Sequence, residues 1–346
     1  MNLQKALRGS LLPLTVIAVA GLGYYLYYNT YFGMDLTARV QNRAEEVVQS
    51  AYFMCQVTER LLQKRADGLI EGIEGVMSML GEPALGPGRQ NWEVRSPEDG
   101  RVRSVGLPPL KIYHQTSERR DLAGLVAALQ RRVPGEITIL QYLNERGDQV
   151  KIYCTLDKIL GPDQTTELIP AQMPGGQPDV SQGPLQRGEV VVRPEYVHGR
   201  LYLSIHRPLR EGRKTIGVLI LRVVDPDLDR LRENLLQLQL GQTGYVFVLK
   251  ATGAQRGHYV ISRAGERDGE DIWDSSDAAG RPFIQSLIAQ ALSLDPRKKR
   301  ISVPILFERY PWKNPGDQHA RYKTAAFTYF EPWDWAIGAG YYEDEL

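Results

Sequence analysis

Between Arg8 and Asp35 the chain runs for 26 residues without a charged side chain, and from Asp35 to Leu80 it continues without a proline. The first stretch, which includes LLPLTVIAVAGLGYYLYY, is long enough to span a bilayer as a helix. Lys5 and Arg8 precede it, which places the N-terminus in the cytoplasm by the positive-inside bias. Tyr24, Tyr25, Tyr27, Tyr28, Tyr31 and Phe32 suit an aromatic belt at the outer interface. Everything from about residue 35 onward is therefore expected outside the cytoplasm, anchored in the cell membrane. A cleaved signal peptide is the competing reading, since Ala18-Val19-Ala20 is an A-x-A site after a short apolar core. The aromatic run carries the apolar segment well past that site and favours the anchor. In the second stretch Leu36, Val40, Val47, Ala51, Met54, Val57, Leu61, Ile70, Ile73 and Met77 recur at helical spacing among charges. A helix so long reads as a stalk or dimerising coiled coil more than as an ordinary core helix, reaching about 60 Å from the membrane at ~1.5 Å per residue.

Charge and cysteine content narrow the partners. Lysine and arginine total 42 against 41 aspartate and glutamate, a formal net charge of +1, so no basic excess points to nucleic acid. Cys55 and Cys154 form no CxxC or Cys/His cluster, so neither a zinc site nor a disulfide framework is indicated. Small molecules and proteins remain.

After Leu80 the pattern changes to alternating, β-branched segments separated by turn residues. Strands are predicted at NWEVRS, RVRSVGL, EITILQYL, QVKIYCTL, GEVVVRPEY, RLYLSIHRPL and TIGVLILRVV, with a helix from Asp121 to Arg132. Leu168 to Gly188, rich in proline, glycine and glutamine, reads as an exposed loop and a candidate ligand lid. Asp225 and Pro226 then suit the N-cap and first turn of a helix through DPDLDRLRENLLQLQL. Beyond it lie strands GYVFVLK and GHYVIS, a helix from about Arg281 to Leu294, and strands ISVPILFERY, ARYKTAAFTYF and WDWAIGAGYY. The halves echo each other at about 120 residues, each a central antiparallel sheet with helices on one side. The expected division is an N-terminus and span at 1–34, a stalk at 35–80, and folded units at 81–225 and 226–346, an α+β architecture.

No arrangement for catalysis is evident. His114, His198, His206, His258 and His319 stand in no HExxH or comparable motif, and no GxSxG is present. Asp268, Asp271, Asp274 and Asp277 recur every three residues, but without the alternate ligands, central glycine and terminal glutamate of a calcium loop, so they read as turns and a helix cap. Binding is better supported. Tyr310, Trp312, Lys313, Arg321, Tyr322 and Lys323 fall on adjacent strands, with Arg267 and Trp273 in preceding loops, a combination of apolar walls and directed donors suited to a small polar or carboxylate ligand. Trp333 and Trp335 read as sheet core.

GQTGYVFVL, YVISRAGERDGEDIWD, FIQSLIAQAL, FERYPWKNPGD and KTAAFTYFEPWDWAIGAGYYED closely resemble the Cache 3/Cache 2 fusion sensor domain of methyl-accepting chemotaxis proteins and related bacterial receptors. The resemblance continues more weakly upstream, covering roughly Trp92 to Glu343. It implies two PAS-like Cache units, membrane-distal then membrane-proximal, after the long first helix. It implies a sensor of a small molecule, such as a carboxylate or amino-acid-like metabolite; a homodimer is expected through the stalk helix, and neither cofactor nor catalysis is expected from the residues. By motif match it nominates Lys323, Tyr310 and Trp312 for the pocket, then Arg267, Trp273 and Tyr259. In such receptors a second span, a HAMP linker and an output domain normally follow, whereas this sequence stops at Leu346. The alternatives are a portion of a larger receptor, a solitary Cache protein signalling through another chain, and an exported hydrolase-like enzyme.

Overall fold

The computed structural model describes the backbone of residues 3–113, 119–159, 161–294, 303–313 and 318–345; the side chains of 3–21, 28–37 and 119–120 are outside the described set. His114 also lies outside it. One helix, α1 (Leu3–Leu80), takes up the uncharged run and the amphipathic run together. Among the described residues no helix is long and apolar enough to cross a membrane.

A first set of elements follows in chain order: β1 (Glu82–Leu85), β2 (Gln90–Arg95), β3 (Val102–Leu107), β4 (Leu110–Tyr113), β5 (Arg119–Arg120), α2 (Leu122–Arg132), β6 (Glu136–Tyr142), β7 (Gln149–Cys154), β8 (Thr166–Ile169), α3 (Gln182–Arg187), β9 (Val191–Val197), β10 (Arg200–Glu211) and β11 (Lys214–Val223). Eight of these strands form one sheet in the order β3-β2-β8-β7-β6-β11-β10-β9, and β1, β4 and β5 form a small second sheet. Pairing in the large sheet is antiparallel except between β2 and β8. After α4 (Pro226–Gln237) come β12 (Gln239–Leu240), β13 (Gly244–Lys250), β14 (Tyr259–Ile261), α5 (Phe283–Leu292), β15 (Leu306–Trp312), β16 (Arg321–Phe330) and β17 (Trp335–Tyr342). They build an antiparallel sheet in the order β12-β13-β17-β16-β15, with β14 added on β13.

The predicted cap at Asp225 is in place and Asp121 caps α2 in the same way, because a carboxylate there satisfies an amide that the helix leaves without a partner, whereas none of the aspartates of 268–277 caps α5, whose N-cap is Pro282. Asp121 accepts from Gly124 N at 2.8 Å, and Asp225 from Asp227 N at 2.8 Å ahead of Pro226. The aspartates of 268–277 serve loops: Asp268 accepts from Ser262 N at 2.7 Å, and Asp277 from Ala279 N at 2.8 Å and Arg281 N at 2.9 Å.

From Ala44 to Leu80, α1 is more than a stalk. One of its faces is fully buried against both large sheets, in a single apolar cluster that includes Val48, Cys55, Leu62, Ile73, Ile139, Leu203, Trp335 and Ile337. Tyr52 lies edge-on to Phe330 at 5.1 Å, and Glu59 accepts the Trp333 indole N–H. Farther along, Arg65 bridges Asp225 and Asp227 at the start of α4, and Glu74 holds Arg207 of β10 at 2.7 and 3.0 Å. Trp333 and Trp335, 0% and 1% exposed, are core as expected.

The segment from Leu168 to Gly188 departs from the exposed loop that its composition suggests. It contains α3, Leu185 is buried against Leu140, Val218 and Ile220, and Asp179 pairs with Arg193 at 2.8 Å. Proline and glycine there set turns that dock the segment on the second unit: Gly253 N donates to Gln177 O at 3.0 Å, Val180 N to Thr252 Oγ1 at 3.2 Å, and Arg256 Nη2 to Pro174 O at 2.7 Å. Next to that seam the wholly buried Asp334, at φ 58°, accepts from Thr252 N, Thr252 Oγ1 and Tyr329 Oη at 2.8–3.0 Å and pairs with Lys250 at 2.8 Å.

Two stability predictions follow from this packing. Leu62→Ala opens a void in the shared core and costs about 2–5 kcal/mol, whereas Gln63→Ala on the exposed face changes stability by less than about 0.5 kcal/mol; urea unfolding of both measures the contrast. Asp334→Ala strands the Lys250 ammonium and three donors, and costs about 3–5 kcal/mol by the same assay.

Candidate functional site

Strand order brings the aromatic and cationic side chains of the second unit together. Lys323 on β16 sits opposite Tyr310 on β15 and Tyr342 on β17, so the three share one face of the sheet. The next row on that face is Ala325, Gly340 and Tyr245, and the one beyond it Phe327, Gly338 and Phe247. Trp312 flanks the first row, opposite Arg321. The small residues leave space among the large ones: a β-carbon at Gly340 would collide with Lys323 Cε, and one at Gly338 with the Phe247 ring. Helix α5 covers one side, where Phe283 stacks on Tyr310 at 4.3 Å and meets Trp312 edge-on at 5.1 Å.

Lys323 is 2% exposed and, among the described residues, has no carboxylate or hydrogen-bond partner. Its Nζ lies 3.7 Å from the centroid of Tyr245, 5.5 Å from Phe247 and 5.7 Å from Tyr342. Ring faces offset part of the lost hydration of an ammonium, but only part. Burial accordingly pulls the Lys323 pKa down to about 8; nearby Arg263 and Arg321 push the same way, and Tyr342 opposes them. Burial also raises the phenols of Tyr245, Tyr259 and Tyr310, which keeps them protonated as donors. The result is one unpaired cation among neutral phenols and apolar rings, an arrangement that can hold an anion.

Of the nominated residues, Lys323, Tyr310 and Trp312 stand together. Tyr259 belongs to the same apolar cluster and lies under Arg267, whose Cζ is 5.6 Å from its ring. Arg267 is already neutralised by a bidentate pair with Glu270, both contacts at 2.6 Å. Trp273 packs in that cluster but faces elsewhere, with the Arg256 guanidinium 4.4 Å above its ring, on the flank that meets the first unit. Tyr245, Phe247 and Tyr342 were not nominated. The alternation in GYVFVLK put Tyr245 and Phe247 on one face, but only the pairing of β13 with β17 shows that this face is the one carrying Lys323.

Nucleophile and base do not converge in the described residues. Cys154 and His206 fall on one line across the first sheet, through Thr138 and Ile220, but three strands apart, about 14 Å at ~4.8 Å per strand. The Cys154 thiol is within 3.2 Å of Thr138 Oγ1, and His198 is paired with Asp157 at 2.8 Å.

No curated protein matches the chain. Solved structures that it is similar to include the periplasmic sensory domain of a Campylobacter jejuni chemoreceptor, with 10% identity over 88% of this chain and 97% of that one at a TM-score of 0.42. Another is the ligand-binding domain of Mlp24 with asparagine, with 14% identity over 89% and 95% at a TM-score of 0.40. A methyl-accepting chemotaxis protein from Vibrio parahaemolyticus matches at 22% identity over 34% of this chain and 72% of that one, at a TM-score of 0.27. The family model of the Cache 3/Cache 2 fusion domain matches residues 32–346, which takes in both large sheets and most of the helix they share, and the chain belongs to that family.

Proposed function

We propose that the chain is the ligand-sensing region of a membrane-anchored bacterial receptor, and that it binds a small carboxylate over Lys323. The observation that carries this reading is the buried ammonium without a counter-ion: a carboxylate would supply the missing charge, phenols would donate to its oxygens, and the rings would enclose its carbon chain. Binding, not turnover, is the activity of this site, because its polar groups are a cation and neutral phenols, with no base poised on a nucleophile. The 26 uncharged residues from 9 to 34 support membrane anchorage at the N-terminal end of α1, with the two sheets in the periplasm. Phe53, Val57 and Leu61, 47–58% exposed at spacings of four on α1, support pairing with a second copy along that helix.

A ligand changes the balance between two arrangements only through its differential affinity for them. The strand that holds Tyr342 over the pocket presents Tyr341, Ala339 and Ile337 to the core shared with α1. A shift of β17 on ligand closure is therefore transmitted to the helix, on which a displacement of about 1–2 Å suffices for signalling.

The full chain in detergent, titrated with acetate, propionate and pyruvate by calorimetry and thermal shift, tests the site. At least one of these acids is expected to raise the melting temperature. In Lys323→Met that response disappears, while the ligand-free protein becomes more stable at pH 7, because a cation whose burial costs on the order of 3 kcal/mol has been removed. Retained affinity in a folded Lys323→Met protein would place the pocket elsewhere.

The pH dependence has a definite sign. The unfolded chain holds the Lys323 proton up to about 10.5 and the native chain only to about 8, so ligand-free stability rises with pH between those values. Carboxylate affinity moves the other way, flat below pH 8 and falling about tenfold per unit above it, with proton uptake on binding that calorimetry in buffers of different ionisation enthalpy will detect. Affinity independent of pH from 7 to 10 would exclude Lys323 as the anion's partner.

A further inference from the structure

Nitrogen and sulfur nucleophiles act only when unprotonated, and most of the described candidates are held out of use by their surroundings. Cys55 is wholly buried in apolar core, which pushes its thiol up. Lys151 is engaged by Asp157 and Glu167 at 2.5 and 2.7 Å, and Lys250 by Asp334 at 2.8 Å, so neither amine is free. Lys323 is not engaged in this way. Its Nζ stands 3.7 Å from the Tyr245 ring centroid, with no carboxylate or hydrogen-bond partner among the described residues. The exposed Arg263 guanidinium, 6.0 Å from the same centroid, also lacks a carboxylate among the described residues and adds uncompensated positive charge beside it.

Apolar surroundings and a neighbouring cation are the two conditions that turn a lysine into a nucleophile, since both disfavour the ammonium. With its pKa drawn down to about 8, Lys323 is unprotonated in about a tenth of molecules at pH 7, against about one in 2,500 for an amine at ~10.4. Tyr310 and Tyr342 sit directly opposite it on the flanking strands, and burial raises the Tyr310 phenol, which keeps that hydrogen in place as a donor.

From this arrangement we propose that Lys323 binds its ligand covalently, as a reversible imine, and that the ligand is a small α-keto acid. The inference rests on the carboxylate reading of the same residue and narrows it. The neutral amine attacks the keto carbon, a C–N bond forms, and an amine proton passes to the carbonyl oxygen. The resulting hydroxyl takes up the proton that the ammonium first released and leaves as water, while the nitrogen lone pair closes the C=N bond. The Tyr310 phenol donates to that oxygen throughout. Counted from the ammonium, ammonium and ketone give iminium and water, with no electron transferred and no proton gained or lost. The iminium keeps the positive charge that the carboxylate beside it requires. Re-entry of water returns the acid unchanged, so the step is binding and not turnover.

The test uses pyruvate and propionate, acids of the same carbon number with and without the keto group. Each is added to the full chain in detergent with cyanoborohydride, which reduces an iminium to a stable amine, and the modified peptides are mapped by mass spectrometry. Pyruvate is expected to leave its reduced adduct on Lys323 at least about tenfold faster than on exposed Lys64 and Lys214, at a rate that rises with pH up to about 8. Propionate leaves none, and in Lys323→Met the fast adduct disappears. Mapping on the unaltered chain decides the matter even where that variant does not fold. No adduct at Lys323, or labelling no faster than at the exposed lysines, overturns the imine; if propionate or acetate still raises the melting temperature through Lys323, the carboxylate reading survives without it. A fast Lys323 adduct with no response to propionate or acetate supports the imine and removes the simple carboxylate reading. Silence in both assays overturns both.

Discussion

The packing of one apolar face of α1 against two different sheets is the interaction on which the rest of the structure depends. From Ala44 to Leu80 the helix is about 54 Å long at ~1.5 Å per residue, enough to lie under both sheets in succession. Its earlier turns meet β16, β17 and the turn between them through Tyr52 and Glu59, its middle holds the start of α4 through Arg65, and its last turns meet β10 through Glu74. Neither sheet closes its core without it: Ile139 and Leu203 of one and Trp335 and Ile337 of the other are buried in the same cluster as Leu62 and Ile73. Since interiors pack at near-crystalline density, a strand that shifts against such a helix must carry the helix with it or open a void.

The same scaffold explains how two buried polar regions of different electrical character coexist. At the junction, charged side chains are taken out of water in matched pairs, which limits the desolvation penalty to what their mutual attraction can offset. At Lys323 no such match is made, and the fold tolerates the unpaired cation by surrounding it with ring faces and by clearing space for it at Gly340. Sites that sacrifice stability in this way are where a ligand has most to contribute, because binding relieves the cost.

Much of this was legible in the sequence, to an uneven depth. Alternation located the principal strands, and Asp121 and Asp225 with Pro226 located two helix starts, because these signals are local. Lys323, Tyr310 and Trp312 fall on neighbouring strands joined in sequence order, so their meeting could be anticipated from the motifs. Tyr245, Phe247 and Tyr342 could not be placed with them, since β13 pairs with β17, about 90 residues later, and skips the strands between. Trp273 was drawn toward the site by its composition, but Arg256 and the docked loop hold it on the other flank. The loop from Leu168 to Gly188 was read as exposed because its few apolar residues form no period; its burial rests on Asp179 and Leu185 finding partners across the sheet and on amides meeting the second unit.

The geometry of β17 ties these threads to signalling. Successive residues on a strand point to opposite faces, so Tyr342 lies on the face that carries Lys323 while Tyr341 packs into the core shared with α1. Of the tyrosines grouped on that face, Tyr342 and Tyr245 are joined to the helix-facing core through β17 and its direct neighbour β13. The first unit is not a bystander, since Lys250 ends β13 and is held by Asp334 at 2.8 Å, with Asp179 of the docked loop 4.0 Å away. β13 thus links the face that carries Lys323 to the loop of the first unit docked beside it.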